Sequence, residues 1–290
     1  MNNNELSFKR KERKYLILEH SFDEIVEEIR KHIPVYHYED KPALLEIETI
    51  YLDTPDLLLY EEFLNRRQFR FKVRLRRYGY EGVVVPKYLV EIKVSHDNIS
   101  TKKRFILPAE HYAAFLRNED LLPVIKAANQ GFTGAQKTYR LVARLMQING
   151  FVPVLETRYN RIAFQKKSKR VRITVDNGIT HKRLLGKPKT ETLDAMVLES
   201  KIMGKQPQWY KRMVNQLSLL RQQRFSKYAT GINSLYFPQR GKYNFYRDDE
   251  LPAGEIPELI RASFEVLKPA LKLQDSALYE VTNAGTVSDN

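Results

Sequence analysis

From Phe71 to Arg76 apolar and basic residues alternate without a break, with Phe71, Val73 and Leu75 set against Lys72, Arg74 and Arg76. In a β-strand, side chains i, i+2 and i+4 share a face. The stretch is therefore a strand with one apolar side and one cationic side. The pattern returns along the chain. Lys169 to Asp176 sets Arg170, Arg172, Thr174 and Asp176 against Val171, Ile173 and Val175. Tyr88 to Val94 carries Glu91 and Lys93 on one face, and Thr101 to Leu107 carries Lys102 and Arg104. Ser7 to Leu18 brings Arg10, Glu12 and Lys14 together, and Leu193 to Met203 brings Glu199 and Lys201. Strands of this kind have two outlets. One is a one-sided sheet with a wet charged face. The other is a closed barrel with a polar interior, its apolar faces turned outward beneath helices. Two like charges ~5 Å apart repel by ~3 kcal/mol at an effective dielectric of ~20. Converging half a dozen cations thus calls for an anion among them, and a polyphosphate or nucleoside triphosphate with a divalent metal fits that need.

The segments between these strands supply the helices. Ser21 and Glu24 form a capping box ahead of an apolar stripe of Phe22, Ile25, Val26, Ile29 and Ile33. Leu45 to Asp53 reads as a strand that Pro55 stops, followed by a helical turn over Asp56 to Asn65. Helices are expected over Pro108 to Leu116 and Ala135 to Ile148. Phe151 to Gln165, with Arg158 and Arg161, reads as a strand pair or one long bent strand. Gln208 to Gln222 reads as a helix with Trp209, Met213, Leu217 and Leu220 as its stripe. Ile256 to Leu273 is expected to be helical, with Leu259, Ile260, Phe264 and Leu267 suited to docking onto the body or onto a partner. Residues from about Thr282 are expected to be disordered.

The net charge is +14 over 290 residues, unevenly spread. Residues 236–290 hold six basic and nine acidic residues, a net of −3, which leaves +17 on the first 235. A basic body of 1–235 and an extension of 236–290 follow as the expected division, and a polyanionic partner follows from the charge. There is no cysteine, so disulfides, thiolate metal sites and cysteine nucleophiles are excluded. No signal peptide and no apolar run of ~18 residues is seen, so a cytoplasmic chain without a transmembrane segment is expected. Neither G-x-x-x-x-G-K-[ST] nor G-x-G-x-x-G occurs, and Gly186-Lys187 and Gly204-Lys205 lack the Ser or Thr that must follow. A phosphate site here must be built from side chains.

In order along the chain stand Glu12-Arg13-Lys14-Tyr15, Tyr51-Leu52-Asp53-Thr54, Lys72-Val73-Arg74-Leu75-Arg76, Glu91-Ile92-Lys93 and Lys102-Lys103-Arg104-Phe105. Tyr159-Asn160-Arg161-Ile162-Ala163-Phe164, Val171-Arg172-Ile173, Leu198-Glu199-Ser200-Lys201 and Ser226-Lys227-Tyr228 follow. This series resembles the VTC domain of polyphosphate polymerases, within the CYTH-like or triphosphate tunnel metalloenzyme superfamily. The resemblance implies an α+β fold, an antiparallel β-barrel tunnel lined by basic residues with helices packed outside. It implies transfer of the γ-phosphate of ATP to a growing inorganic polyphosphate chain with Mn²⁺ or Mg²⁺. Matched position by position, Lys14, Arg74, Arg76, Lys93, Lys102, Arg161, Arg172, Lys201, Ser226 and Lys227 would bind phosphates. Of these Lys14, Arg74, Arg76, Lys93, Arg161, Arg172 and Lys227 would take part in the transfer. Glu199, with Glu12 beside it, would hold the metal. Lys102 and Lys103 compete for one role, and the matching spacing favours Lys102.

Hydrolytic members of that superfamily open with Glu-x-Glu-x-Lys, whereas the slots here read Arg10, Glu12, Lys14. This weighs against the alternative of a tripolyphosphate or nucleoside triphosphate hydrolase. A non-catalytic module binding polyphosphate or nucleic acid is the other alternative; Glu199 argues against it, since a pure anion binder gains nothing from a carboxylate among its cations. Eukaryotic members of the family often carry a phosphate-sensing domain and a membrane segment that are absent here, so any membrane coupling is expected to run through a separate partner protein. Tyr51 and Asp53 are expected to fix a strand end rather than touch substrate, and Ser226 could serve only as a helix cap.

Overall fold

Alternating strands that hide one face and keep the other polar are driven to curl, and the computed structural model shows how this chain does so. It describes residues 10–38, 41–96, 99–166, 168, 170–222, 224–244 and 256–273. The expected disorder from Thr282 lies outside them. In chain order the elements are β1 (Arg10–Ile17), α1 (Phe22–Arg30), β2 (Leu44–Asp53), α2 (Leu58–Leu64), β3 (Arg70–Tyr80), β4 (Val83–Val84), β5 (Lys87–His96) and β6 (Ile99–Pro108). There follow α3 (Tyr112–Leu116), α4 (Leu122–Ala128), α5 (Ala135–Asn149), β7 (Val152–Gln165), β8 (Val171–Arg183), β9 (Thr190–Thr192) and β10 (Met196–Met203). The last are α6 (Gln208–Gln216), β11 (Leu220–Gln222), α7 (Lys227–Tyr236) and α8 (Glu258–Leu271).

The strands form one 11-stranded sheet in the order β11-β1-β10-β8-β7-β2-β3-β5-β6, with β4 on β3 and β9 on β8. All the pairings are antiparallel. Register shifts at Tyr51/Leu52 and at Arg158/Asn160 bend β2 and β7 and increase the local twist. Among the described residues the ends of the sheet, β6 and β11, do not hydrogen-bond to each other. The expected barrel is therefore an open one. It is curled all the same: Lys93 on β5 feels Glu12 on β1 and Glu199 on β10, although five strands separate β5 from β1 in the sheet.

The apolar strand faces point outward beneath helices, the second of the two arrangements the alternation allows. Val73, Leu75, Val90, Ile92 and Phe105 are covered by α3, α4, α5 and α8. Tyr15, Ile17, Ile173, Leu198 and Ile202 are covered by α1 and α6. Each fully buried large side chain in these layers contributes about 1.5–3 kcal/mol. The capping box of α1 is present, with Ser21 and Glu24 exchanging bonds. Helix α8 buries Ile260, Phe264 and Leu267 in the first layer, so it docks onto the body; Leu259, expected in that stripe, is 37% exposed.

A third cluster fills part of the concave side. Helix α7 lies there, with Tyr228, Ala229, Ile232 and Leu235 against Tyr51, Leu155, Tyr159 and Val197 of the strands. Residues Tyr228 to Leu235 are all buried, the mark of a helix inserted into a core rather than laid upon one. Gly231 permits the insertion, since a Cβ there would meet Leu155 Cδ2 at 2.7 Å and His181 Nδ1 at 2.8 Å. Asp53 anchors the same region by accepting from the N–H groups of Thr54, Leu59 and Tyr60 and from the Tyr228 hydroxyl. It fixes the strand end, as expected.

Two boundaries depart from the alternation and periodicity. The helix expected over Gln208 to Gln222 stops at Gln216, because Ser218 turns left-handed at φ 47°. Leu220, expected in its apolar stripe, is 51% exposed on β11, which pairs with β1. Strand β8 runs on to Arg183, whereas Phe151 to Gln165 forms one long bent strand, the second of its two expected forms.

A cation-lined concave face

The register aligns the charged positions across the curl. Lys14 stands opposite Glu199, Glu12 opposite Lys201, and Lys201 opposite Arg172. Arg161 stands opposite Asp176, Arg74 opposite Glu91, Lys72 opposite Lys93, and Lys93 opposite Lys102. Helix α7 delivers Ser226 and Lys227 from its first turn. All the residues that the sequence marks as candidates thus line or approach one concave face. Lys102 turns inward to Glu91, whereas Lys103 turns outward to the Ala270 carbonyl.

Three carboxylates on this face, Asp176, Glu91 and Glu12, each hold two cations, and Glu199 holds one. Asp176, which has no exposed surface, takes Arg161 Nε at 2.5 Å on Oδ1 and Nη2 at 2.7 Å on Oδ2, and also Lys227 Nζ. Glu91 takes Arg74 Nε at 2.9 Å and Lys102 Nζ at 2.7 Å. Glu12 lies 3.3 Å from Lys14 Nζ and 3.4 Å from Lys201 Nζ. Glu199 pairs with Lys201 Nζ at 2.5 Å and stands opposite Lys14. Asp176 and Glu91 were visible in the alternation, but only the fold shows that they are the clasps that space the arginines. Asp176 is paired across strands with Arg161, which no local pattern reveals.

The electrostatics follow from burial opposed by cations. Burial pushes the Glu91 carboxyl up, but Arg74, Arg76 and Lys102 outweigh it and hold it down at about 2. Glu199 is likewise held well below the usual carboxylate range by Lys14, Lys201 and Arg161 against the effect of burial. Both are ionised at neutral pH. Burial lowers the Lys93 and Lys102 ammonium groups, and Glu12 and Glu91 respectively offset part of that. Burial would lower Arg76 too, but the tyrosines Tyr159 and Tyr78 and Glu91 raise it. Arg76 donates to Thr49 Oγ1 at 3.3 Å, and Arg172 to Gln165 Oε1 at 3.3 Å with its guanidinium over the Tyr36 ring. Lys227 and Arg161 both lie over the Tyr159 ring.

Ser226 caps α7 by accepting from Ala229 N–H and also receives Lys72 Nζ at 3.0 Å. Its capping role is real, and it does not turn the hydroxyl away from the concave face. The arrangement can grip an extended polyanion from several sides at once. Glu12 and Glu199 share the Lys201 ammonium, so a cation already stands between two hard carboxylate oxygens. That donor chemistry suits Mg²⁺ or Mn²⁺. Among the described residues no group of three or more acidic or imidazole side chains is gathered. A divalent ion here would draw its remaining ligands from phosphate oxygens and water.

Comparison with known proteins was made against this geometry. The family model of the VTC domain matches residues 9–236. The chain is similar to the vacuolar transporter chaperone complex subunit 4 of Trypanosoma brucei brucei, at 24% identity over 274 residues, covering 79% of this chain and 35% of that protein. It is similar to the subunit of the same name from Schizosaccharomyces pombe, at 24% over 275 residues, covering 80% and 38%. The chain thus spans little more than a third of the length of these curated relatives. Among solved structures, a putative adenylate cyclase from Bacillus halodurans aligns with 72% of this chain and 91% of its own, at 11% identity and a TM-score of 0.39.

Proposed function

The chain belongs to the VTC domain family, and on that footing we propose that it is a polyphosphate polymerase, moving the γ-phosphate of ATP onto a growing inorganic polyphosphate chain within its curled sheet. The observation that carries the reading is the concave face itself. Cations from seven strands and one helix converge there, with an ionised Glu199 among them. A wet one-sided sheet gives no reason for such convergence.

In this reading Arg74, Arg76, Arg161 and Arg172 bind the phosphates, each guanidinium offering paired donors to phosphoryl oxygens. Lys93, Lys102 and Lys201 neutralise the chain, and Lys14, Ser226 and Lys227 orient the phosphates nearest Glu199. Glu199 and Glu12 would hold Mn²⁺ or Mg²⁺, which would supply positive charge to offset that of the phosphates. Glu91 and Asp176 hold Arg74 and Arg161 in place, so little rearrangement is needed to receive an anion. The terminal oxygen of the chain attacks the γ-phosphorus in line, and ADP leaves. No covalent nucleophile is required, because positioning and charge neutralisation supply most of phosphoryl transfer. Each charge-assisted contact contributes ~1.5–3 kcal/mol, so a single Arg→Ala change is expected to cost ~10–100-fold.

No helix among the described residues is long and apolar enough to cross a membrane. The relatives are named as subunits of a complex, and we propose that any membrane coupling comes from a partner protein. The test is incubation with ATP and Mn²⁺, read on a gel for long phosphate chains and in solution for free phosphate. Chains that vanish in Glu199→Ala support the proposal. Free phosphate without chains would replace it with a hydrolase.

A further inference from the structure

Among the described residues, Lys72 on the concave face makes no ion pair with a carboxylate. Lys72 Nζ donates to Ser226 Oγ at 3.0 Å, and sits 4.6 Å from the centre of the Phe63 ring and 5.1 Å from that of Tyr228. The largest charges acting on it are positive: Lys93 from β5, Lys14 from β1, and Arg70 and Arg74 along its own strand. The nearby carboxylates are committed elsewhere. Asp53, at the end of β2, is spent on the Tyr228 hydroxyl and three backbone N–H groups. Glu91 holds Arg74 and Lys102, and Glu12 holds Lys14 and Lys201. From α7, Lys227 is bound to Asp176.

We propose that Lys72 binds a phosphoryl oxygen beside the first turn of α7, and that it takes up a proton from solvent as the anion enters. The inference rests on the reading of the concave face as a phosphate site. Burial first, and then the four cations, hold the Lys72 ammonium well below its ordinary value. Loss of the proton would keep one more charge out of the cluster, and the hydrogen bond to Ser226 would survive it. An anion among Lys72, Lys14 and Ser226 reverses the sign of the local field. The amine then gains one proton from water or buffer and donates it in a charge-assisted bond; no bond to phosphorus forms. Lys93 and Lys102 differ, since each has a carboxylate that favours the charged form even without ligand.

The test is isothermal titration calorimetry of the whole protein with tripolyphosphate at pH 7.5, in two buffers of different ionisation enthalpy. Wild type is expected to take up on the order of half to one proton more than Lys72→Met, and to bind ~10-fold more tightly, the span of one charge-assisted contact. Lys72→Arg, fixed in its charge, is expected to bind like wild type without the extra proton. It carries the test if melting shows that the Met variant does not fold. Equal proton counts in wild type and both variants, or unchanged affinity in Lys72→Met, overturns the role of Lys72 alone. Failure of the wild type to bind tripolyphosphate overturns the phosphate-site reading and this inference with it.

Discussion

Replacing Asp176 with Asn removes one carboxylate and strands two cations. Asp176 is wholly buried and accepts three bonds, two from Arg161 and one from Lys227. Sharing one carboxylate places the two cationic groups roughly 5 Å apart, where their repulsion is ~3 kcal/mol at an effective dielectric of ~20. The amide oxygen of Asn keeps one acceptor and loses the charge, so the expected destabilisation is ~3–4 kcal/mol, within the range for breaking a buried ion pair. For a chain of this size that is a fall in melting temperature of roughly 6–12 °C. The same geometry predicts a partial rescue. A phosphoryl group near Arg161 and Lys227 can replace the missing carboxylate, whereas in the wild type it must coexist with one. Tripolyphosphate should therefore raise the melting temperature of Asp176→Asn by more than it raises that of the wild type. The assay is thermal unfolding of both proteins with and without tripolyphosphate at pH 7.5. Equal melting temperatures without ligand, or equal ligand-induced shifts, would refute the idea that Asp176 supplies negative charge that a phosphoryl group can replace.

Two further outcomes concern the wall behind the site. His181 is buried, bonds Thr157 through Nδ1, and is held neutral down to about pH 3, chiefly by burial and then by Lys227 and Lys242. Its folded value lies below its unfolded one, so its contribution is full above the unfolded value near 6.5 and is lost as pH falls from there toward 3. At pH 5 the loss is ~2 kcal/mol, and His181→Gln should flatten that part of the stability-versus-pH curve measured by urea unfolding. Gly231→Ala pushes a methyl into Leu155 and His181, and should cost ~1–3 kcal/mol in the same assay; an unchanged midpoint would mean that α7 is not seated as described.

The alternation of apolar and charged residues put Lys14, Arg74, Arg76, Lys93, Lys102, Arg172, Glu199 and Lys201 each on the charged face of its own strand, because a strand period of two leaves a side chain only two directions; Arg161 came from the family resemblance, and only the fold brings these faces together. The alternation also showed that the apolar faces need helices over them. It did not show α7. That segment is buried on all sides, so it has no amphipathic period to detect, and Gly231 in its middle weakens its helical signature. Nor could it pair Asp176 with Arg161 and Lys227, since the partners lie on different elements and only the register brings them together. Lys72 was legible as part of the basic stripe, but its lack of a carboxylate partner is a property of the folded neighbourhood. Leu220 was misplaced for a local reason, the left-handed Ser218 that ends α6 and starts a short strand.

The central claim is that this concave face joins the terminal phosphate of ATP to an inorganic chain. The most direct measurement follows label from ATP into long chains in the presence of Mn²⁺, comparing γ-labelled with α-labelled nucleotide. The account predicts chains that carry the γ label, carry none of the α label, and are lost in Glu199→Ala. Label released from γ-labelled ATP only as free phosphate, or chains formed equally well without Glu199, would contradict it.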